Sequence, residues 1–147
     1  MNEDRRRLCQ IGGVALAGCM LPSLGCVGDA SMAMEASSPI DAGPAAQYLL
    51  DDAIVVQGPN HRVYICRDAA GLYAMSADCT HAHCLVEFTD STTGFSCPCH
   101  MSAFDYNGVK ISAPAPSSLP HYQLTITDGK VIVDPSQLVA AATRTAG

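Results

Sequence analysis

The chain has 147 residues, of which 15% are charged, and a formal net charge of −6. With only eight Lys and Arg it has no basic footprint for phosphates, which excludes nucleic acid as a partner. Trp is absent and aromatics make up 5%, so the core is expected to rest on Val, Ile, Leu and Ala. A small domain with such a core needs a staple, either a metal or a disulfide.

Residues 1–26 read as an export leader. Arg5-Arg6-Arg7 precedes an uncharged run from Leu8 to Gly28, a positive region before an apolar one. The arginines resemble a twin-arginine signal, with Asp4 where Ser or Thr is usual and Cys9 after Leu8. Leu16-Ala17-Gly18-Cys19 resembles a bacterial lipobox, which makes Cys19 the lipidation candidate and Cys26 a poorer second. A lipoprotein ranks ahead of an uncleaved anchor, because Gly12, Gly13, Gly18, Pro22 and Gly25 weaken a spanning helix. A cleaved soluble form ranks last. Residues 27–46 are rich in Ala, Ser, Pro and Gly without a period, and are expected to form a flexible tether.

The body, residues 47–138, reads as strands. Ala53–Gln57 is β-branched and ends at the turn signal Gly58-Pro59-Asn60. Arg62–Arg67 follows, then Asp68-Ala69-Ala70-Gly71 turns the chain into Leu72–Ser76. Asn107-Gly108 signals a tight turn. Tyr122, Leu124 and Ile126 alternate with polar residues, Asp128-Gly129 turns, and Val131-Ile132-Val133 returns. Pro135 is expected to stop this hairpin, leaving residues 139–147 as a frayed or disordered tail. No stretch of the body has a helical period, which predicts an all-β domain. Cys66 is expected to be a buried core residue, and His61 and His121 to have structural roles.

The chemistry lies between Cys79 and His100. Cys79-Thr80-His81 and Cys97-Pro98-Cys99-His100 each place a thiolate and an imidazole within reach of one metal centre. That donor set fits a Cys2His2 zinc site. It fits equally a [2Fe–2S] cluster with cysteines on one iron and histidines on the other. Cys84 and Cys99 are surplus to a zinc site, and the surroundings lack the helix that carries the histidines of a typical finger.

The two boxes, Cys79-Thr80-His81-x-x-Cys84 and Cys97-Pro98-Cys99-His100, resemble those of the Rieske iron–sulfur family, of its disulfide-bearing kind. Ala113-Pro114-Ala115-Pro116 with Leu119-Pro120 is similar to the family's proline loop. The resemblance covers about residues 47–135. It implies an antiparallel β-sandwich with a small cluster-binding subdomain, about residues 77–118, built from two loops and the proline loop that carries Pro114 and Pro116. It implies one [2Fe–2S] cluster, with Cys79 and Cys97 on one iron, His81 and His100 on the other, and a Cys84–Cys99 disulfide. Ser102 matches the family serine whose hydroxyl donates to a bridging sulfide. Phe104 stands where high-potential members have a Tyr that donates to a ligand sulfur, which implies a lower potential here. His83 and Met101 stand where the family usually has Gly, so both loops are expected to differ slightly in shape.

The implied function is electron transfer rather than a stand-alone enzymatic activity. The implied partners are a cytochrome or the large subunit of an oxidase, with quinol as one candidate donor. A disulfide and an export leader together imply the periplasm or the outer side of a bacterial cytoplasmic membrane, with the leader or its lipid as tether. A relay subunit or stand-alone carrier ranks first, the iron–sulfur subunit of a quinol–cytochrome c oxidoreductase second, and a structural zinc domain third.

Overall fold

A computed structural model describes residues 38–147. The expected leader, the lipidation candidate Cys19 and residues 27–37 of the expected tether lie outside the described residues.

The strands form where the sequence alternates. β1 (Ile40–Pro44), β2 (Ala53–Gln57), β3 (Arg62–Asp68) and β4 (Gly71–Ser76) are followed by the shorter β5 (Glu87–Asp90), β6 (Gly94–Ser96) and β7 (Ala103–Phe104). β8 (His121–Thr127) and β9 (Lys130–Val139) close the chain. All pairings are antiparallel. Six strands form one sheet in the order β1-β9-β8-β4-β3-β2, and β5-β6-β7 form a second. A three-residue 3-10 turn, Ala45–Gln47, is the one helical element among the described residues.

β3 and β4 are covered on both faces, and this explains why all six residues of β4 are buried. Tyr64, Cys66, Tyr73 and Met75 point into a core shared with the second sheet, which also takes in Phe95 and Phe104. Their neighbours Val63, Ile65, Leu72 and Ala74 point to the opposite core with Leu124, Val131 and Val133. Period-2 alternation therefore serves two cores at once. The expectation of an aliphatic core is corrected here. The chain has five Tyr and three Phe, and Tyr48, Tyr64, Tyr73, Phe95, Phe104 and Tyr122 are all buried. Few aromatics are present, but nearly all are committed to the interior.

The closing hairpin turns as its sequence requires. Asp128 and Gly129 have φ of 51° and 75°, the paired positive values of a type I′ turn. Pro135 does not end β9. It sits in a bulge, because Gln123 pairs with Asp134 but Tyr122 pairs with Leu138. A bulge tolerates Pro, which has no N–H to give to the ladder.

Both ends of the described chain are more ordered than expected. Ile40 and Ala42 in β1 are buried, and Ile40 pairs with Val133, so the tether reading fails from residue 40 onward. The stretch 139–147 is no frayed helix. Thr145 pairs with Leu72 through two backbone hydrogen bonds of 2.8 Å. Arg144 donates from Nε to Asp68 (2.6 Å) and from Nη2 to Asn107 Oδ1 (2.7 Å), and lies 3.8 Å over the Tyr73 ring.

Arg144→Ala is expected to destabilise the fold by about 2 kcal/mol, through loss of charge-assisted hydrogen bonds and the cation–π contact. Partial burial raises the Asp68 carboxyl, but Arg144 and the Ala70 and Gly71 N–H groups outweigh it and hold it below the ordinary range. A depressed carboxyl contributes stability above its unfolded pKa and loses it as pH falls through the folded value. The gap between wild type and variant should therefore shrink below about pH 4, as read by urea unfolding at several pH values.

Candidate metal centre

The two boxes are loops with the same internal hydrogen bonds. In the first, the Cys79 N–H donates to Cys84 O (2.8 Å) and the His83 N–H donates to Cys79 O (2.9 Å). In the second, the Cys97 N–H donates to Ser102 O (2.8 Å) and the Met101 N–H donates to Cys97 O (2.9 Å). Each loop closes through a residue in the left-handed region, His83 at φ 55° and Met101 at φ 63°. Both residues adopt the backbone that glycine would favour, at a cost of roughly 1–2 kcal/mol each.

These loops separate two kinds of donor. The Cys79 and Cys97 side chains are free thiols, 0% and 2% exposed, at the edge of the core built on β3 and β4. His81 and His100 are exposed, with ring centroids 4.7 Å apart and planes at 83°. Cys84 and Cys99 form a disulfide that joins the loops. The sulfurs of Cys84, Cys97 and Cys99 lie within 4.8 Å of one another, but two of the three are bonded together and cannot serve as thiolates. Cys66, also a free thiol, is fully buried within β3, and burial pushes it up to about 12. An unactivated core thiol of this kind behaves as a small hydrophobe.

The proline loop is tied to both boxes. Thr80 Oγ1 donates to Ser117 O (2.7 Å), and the Ala115 N–H donates to Ser102 Oγ (2.9 Å). Ser112 Oγ donates to Met101 O (3.3 Å) and accepts from the Ala103 N–H (3.0 Å). Pro114 and Pro116 are exposed on this loop, while Ala115 and Leu119 are buried beneath it. Ser102 is fully buried, and because its oxygen accepts from Ala115 its hydroxyl proton stays available to another acceptor. Phe104 is fully buried in β7, paired with Phe95. His83 is exposed and on the first loop.

The remaining histidines have structural settings. His121 is buried, stacks on Tyr73 at 5.6 Å, and makes a 2.9 Å hydrogen bond from Nε2 to Asn107 O. Desolvation outweighs that bond and lowers its pKa. His61 lies edge-on to Tyr122 at 6.2 Å.

Two buried thiols, two exposed imidazoles and a separate disulfide fit a [2Fe–2S] cluster ligated by Cys79, His81, Cys97 and His100. The Rieske [2Fe-2S] domain family model matches residues 38–123. The chain belongs to the Rieske [2Fe–2S] family. The cytochrome b6-f complex iron-sulfur subunit of Synechococcus elongatus is 37% identical over 94 residues, covering 61% of this chain and 52% of that one. The same subunit from Synechococcus sp. (strain CC9605) is 32% identical over 137 residues, covering 84% and 76%. The match to the first thus spans about half of that relative's length. Among solved structures, the cyanobacterial plasma membrane Rieske protein of Synechocystis PCC 6803 aligns at TM-score 0.53 and 23% identity, covering 64% of this chain and 97% of that one. At that identity the likeness concerns the fold, which is the all-β Rieske architecture expected from the sequence.

Sequence reasoning missed the residues that brace the boxes from outside. Arg62 and Ser112 carry no motif of their own. Their roles depend on partners brought near by folding.

Proposed function

We propose that this protein carries single electrons through one [2Fe–2S] cluster, with Cys79 and Cys97 on one iron and His81 and His100 on the other. The observation that carries this reading is the split donor set, two thiols in the core and two imidazoles side by side at the surface. When bound, the cluster supplies a one-electron couple whose potential follows ligand type, hydrogen bonds to sulfur and exposure. The buried cysteines keep their side of the site dry. The exposed imidazoles offer the short route to a partner.

The similar proteins are named as iron-sulfur subunits of the cytochrome b6-f complex, which supports a subunit of a cytochrome complex; in this reading quinol is the donor and a cytochrome the acceptor. A relay subunit of a periplasmic oxidase is the second reading, favoured by the small spacer between the boxes, which holds little beyond the β5–β6 hairpin. The Cys84–Cys99 disulfide suits an oxidising compartment. With the leader reading of residues 1–26 it supports the outer side of a bacterial cytoplasmic membrane, tethered by anchor or by lipid on Cys19. No helix among the described residues is long and apolar enough to cross a membrane.

Iron and sulfide analysis and electron paramagnetic resonance of the reduced whole chain test the reading. About two irons per chain and a Rieske-type signal are expected, and a colourless protein holding zinc would refute it. Phe104→Tyr is expected to raise the midpoint potential by roughly 50 mV, about what one ordinary hydrogen bond to the reduced centre is worth in a one-electron couple. Protein-film voltammetry of both forms checks this, and an unchanged or lower potential would rule out the missing donor as the cause.

A further inference from the structure

We infer that Arg62, outside both boxes, is the positioning residue of the first box. Three contacts place it there. Its backbone carbonyl accepts the Ala77 N–H at 2.9 Å. Its guanidinium pairs with the Asp78 carboxylate, and the same Nη2 donates to His83 O at 2.8 Å. Arg62 therefore holds the residues just before Cys79 and just before Cys84 against the first residue of β3.

The His83 contact is the informative one. His83 closes the first loop from the left-handed region, where a side chain is disfavoured. Its N–H is held by Cys79 O and its carbonyl by Arg62, so the peptide units on either side of His83 are both fixed. Without Arg62 the carbonyl loses its charged donor and the backbone can relax. Cys84 would move with it, and so would Cys99 through the disulfide. The second loop has only a neutral counterpart, the 3.3 Å bond from Ser112 Oγ to Met101 O. Arg62 thus does for His83 what a glycine at that position would make unnecessary. Because Asp78 offsets its charge, its effect is exerted through position.

The test uses the whole chain with Arg62→Ala, Arg62→Lys and His83→Gly, alone and combined. In cluster-free protein, dithiothreitol reduction of Cys84–Cys99, followed by thiol alkylation and mass, should be roughly fivefold faster for Arg62→Ala, the factor one hydrogen bond carries. Lys keeps the charge, but its strongly hydrated ammonium on a flexible stem is less pre-organised for the two oxygens that the single Arg62 Nη2 meets, so it should restore less than half of that factor. In the His83→Gly background the Arg62→Ala effect should fall below twofold, because glycine holds the turn unaided. In loaded protein, Arg62→Ala should shift the electron paramagnetic resonance g-values, which global destabilisation would not do. Equal reduction rates for Arg62→Ala and wild type, full rescue by Lys, or the same effect in the glycine background would each overturn the inference. It rests on the ligand assignment for its consequence at the cluster, but the disulfide assay needs no iron. Failure of the whole chain to take up iron would therefore count against the ligands and leave the Arg62 result standing.

Discussion

Replacing Cys97 by Ser is expected to leave roughly a tenth or less of the cluster, because Fe–S clusters depend on thiolate ligands. Cys97 is 2% exposed, its loop is set by two backbone hydrogen bonds, and the two sulfurs within 4.8 Å of it are bonded to each other and cannot replace it as a thiolate. Cys79→Ser should behave alike, since its thiol is fully buried in the equivalent loop. The control is Cys66→Ala. Cys66 is a third free thiol, equally buried, but it lies within β3 and in neither loop. Its loss should lower stability by about 1–2 kcal/mol as a small cavity and leave iron content and spectrum intact. Iron analysis with visible absorption decides the matter. Retention of a full cluster by Cys97→Ser, or its loss from Cys66→Ala folded to the wild-type circular dichroism, would remove the ligand assignment.

Replacing both Cys84 and Cys99 by Ser should produce the second large effect. The bond joins residues 15 apart in sequence, and closing a loop of that size in the unfolded chain is worth about 3 kcal/mol. For a domain of about a hundred residues this corresponds to a fall in Tm of roughly 10–20 °C. Both cysteines must be replaced together, because a lone thiol would remain within 4.8 Å of Cys97 and could pair with it. The cluster should still form, since the disulfide leaves neither residue a thiolate to act as a ligand, but it should bleach faster because the two loops then lack their covalent clip. Scanning calorimetry and the decay of visible absorption read both effects. Reductant added to the wild type should reproduce them. An unchanged Tm, or failure of the double variant to bind any iron, would contradict the division of the cysteines into ligands and clip.

The boxes were legible in the sequence because their spacing is local. Each thiol and imidazole pair must reach one centre from one loop, and that requirement is written within a few residues. The strands were legible for a similar reason. β2 and β3 are rich in Val and Ile, Asp128-Gly129 meets the demands of a type I′ turn, and the proline loop carries its own signal. What failed in the reading failed by distance. β1 looked like tether because Ala, Gly and Pro dominate it, yet it is a strand because Ile40 meets Val133 across the sheet. Pro135 looked like a stop because a bulge is visible only when the partner strand is known. The final residues looked disordered because Arg144 finds Asp68, 76 residues earlier, only after folding.

For this protein the sequence by itself determined the β class and the family and named the candidate donors, since each is carried by residue type at short spacing. The tertiary structure decided that the thiols are buried and the imidazoles exposed, because that division depends on which side of each loop the core closes over. It also decided that His83 and Met101 hold the backbone of glycine, and that Arg62 braces the first loop from 16 residues before Asp78. A left-handed residue is fixed by the hydrogen bonds around it, and those bonds come from strands and loops that only the folded chain brings together.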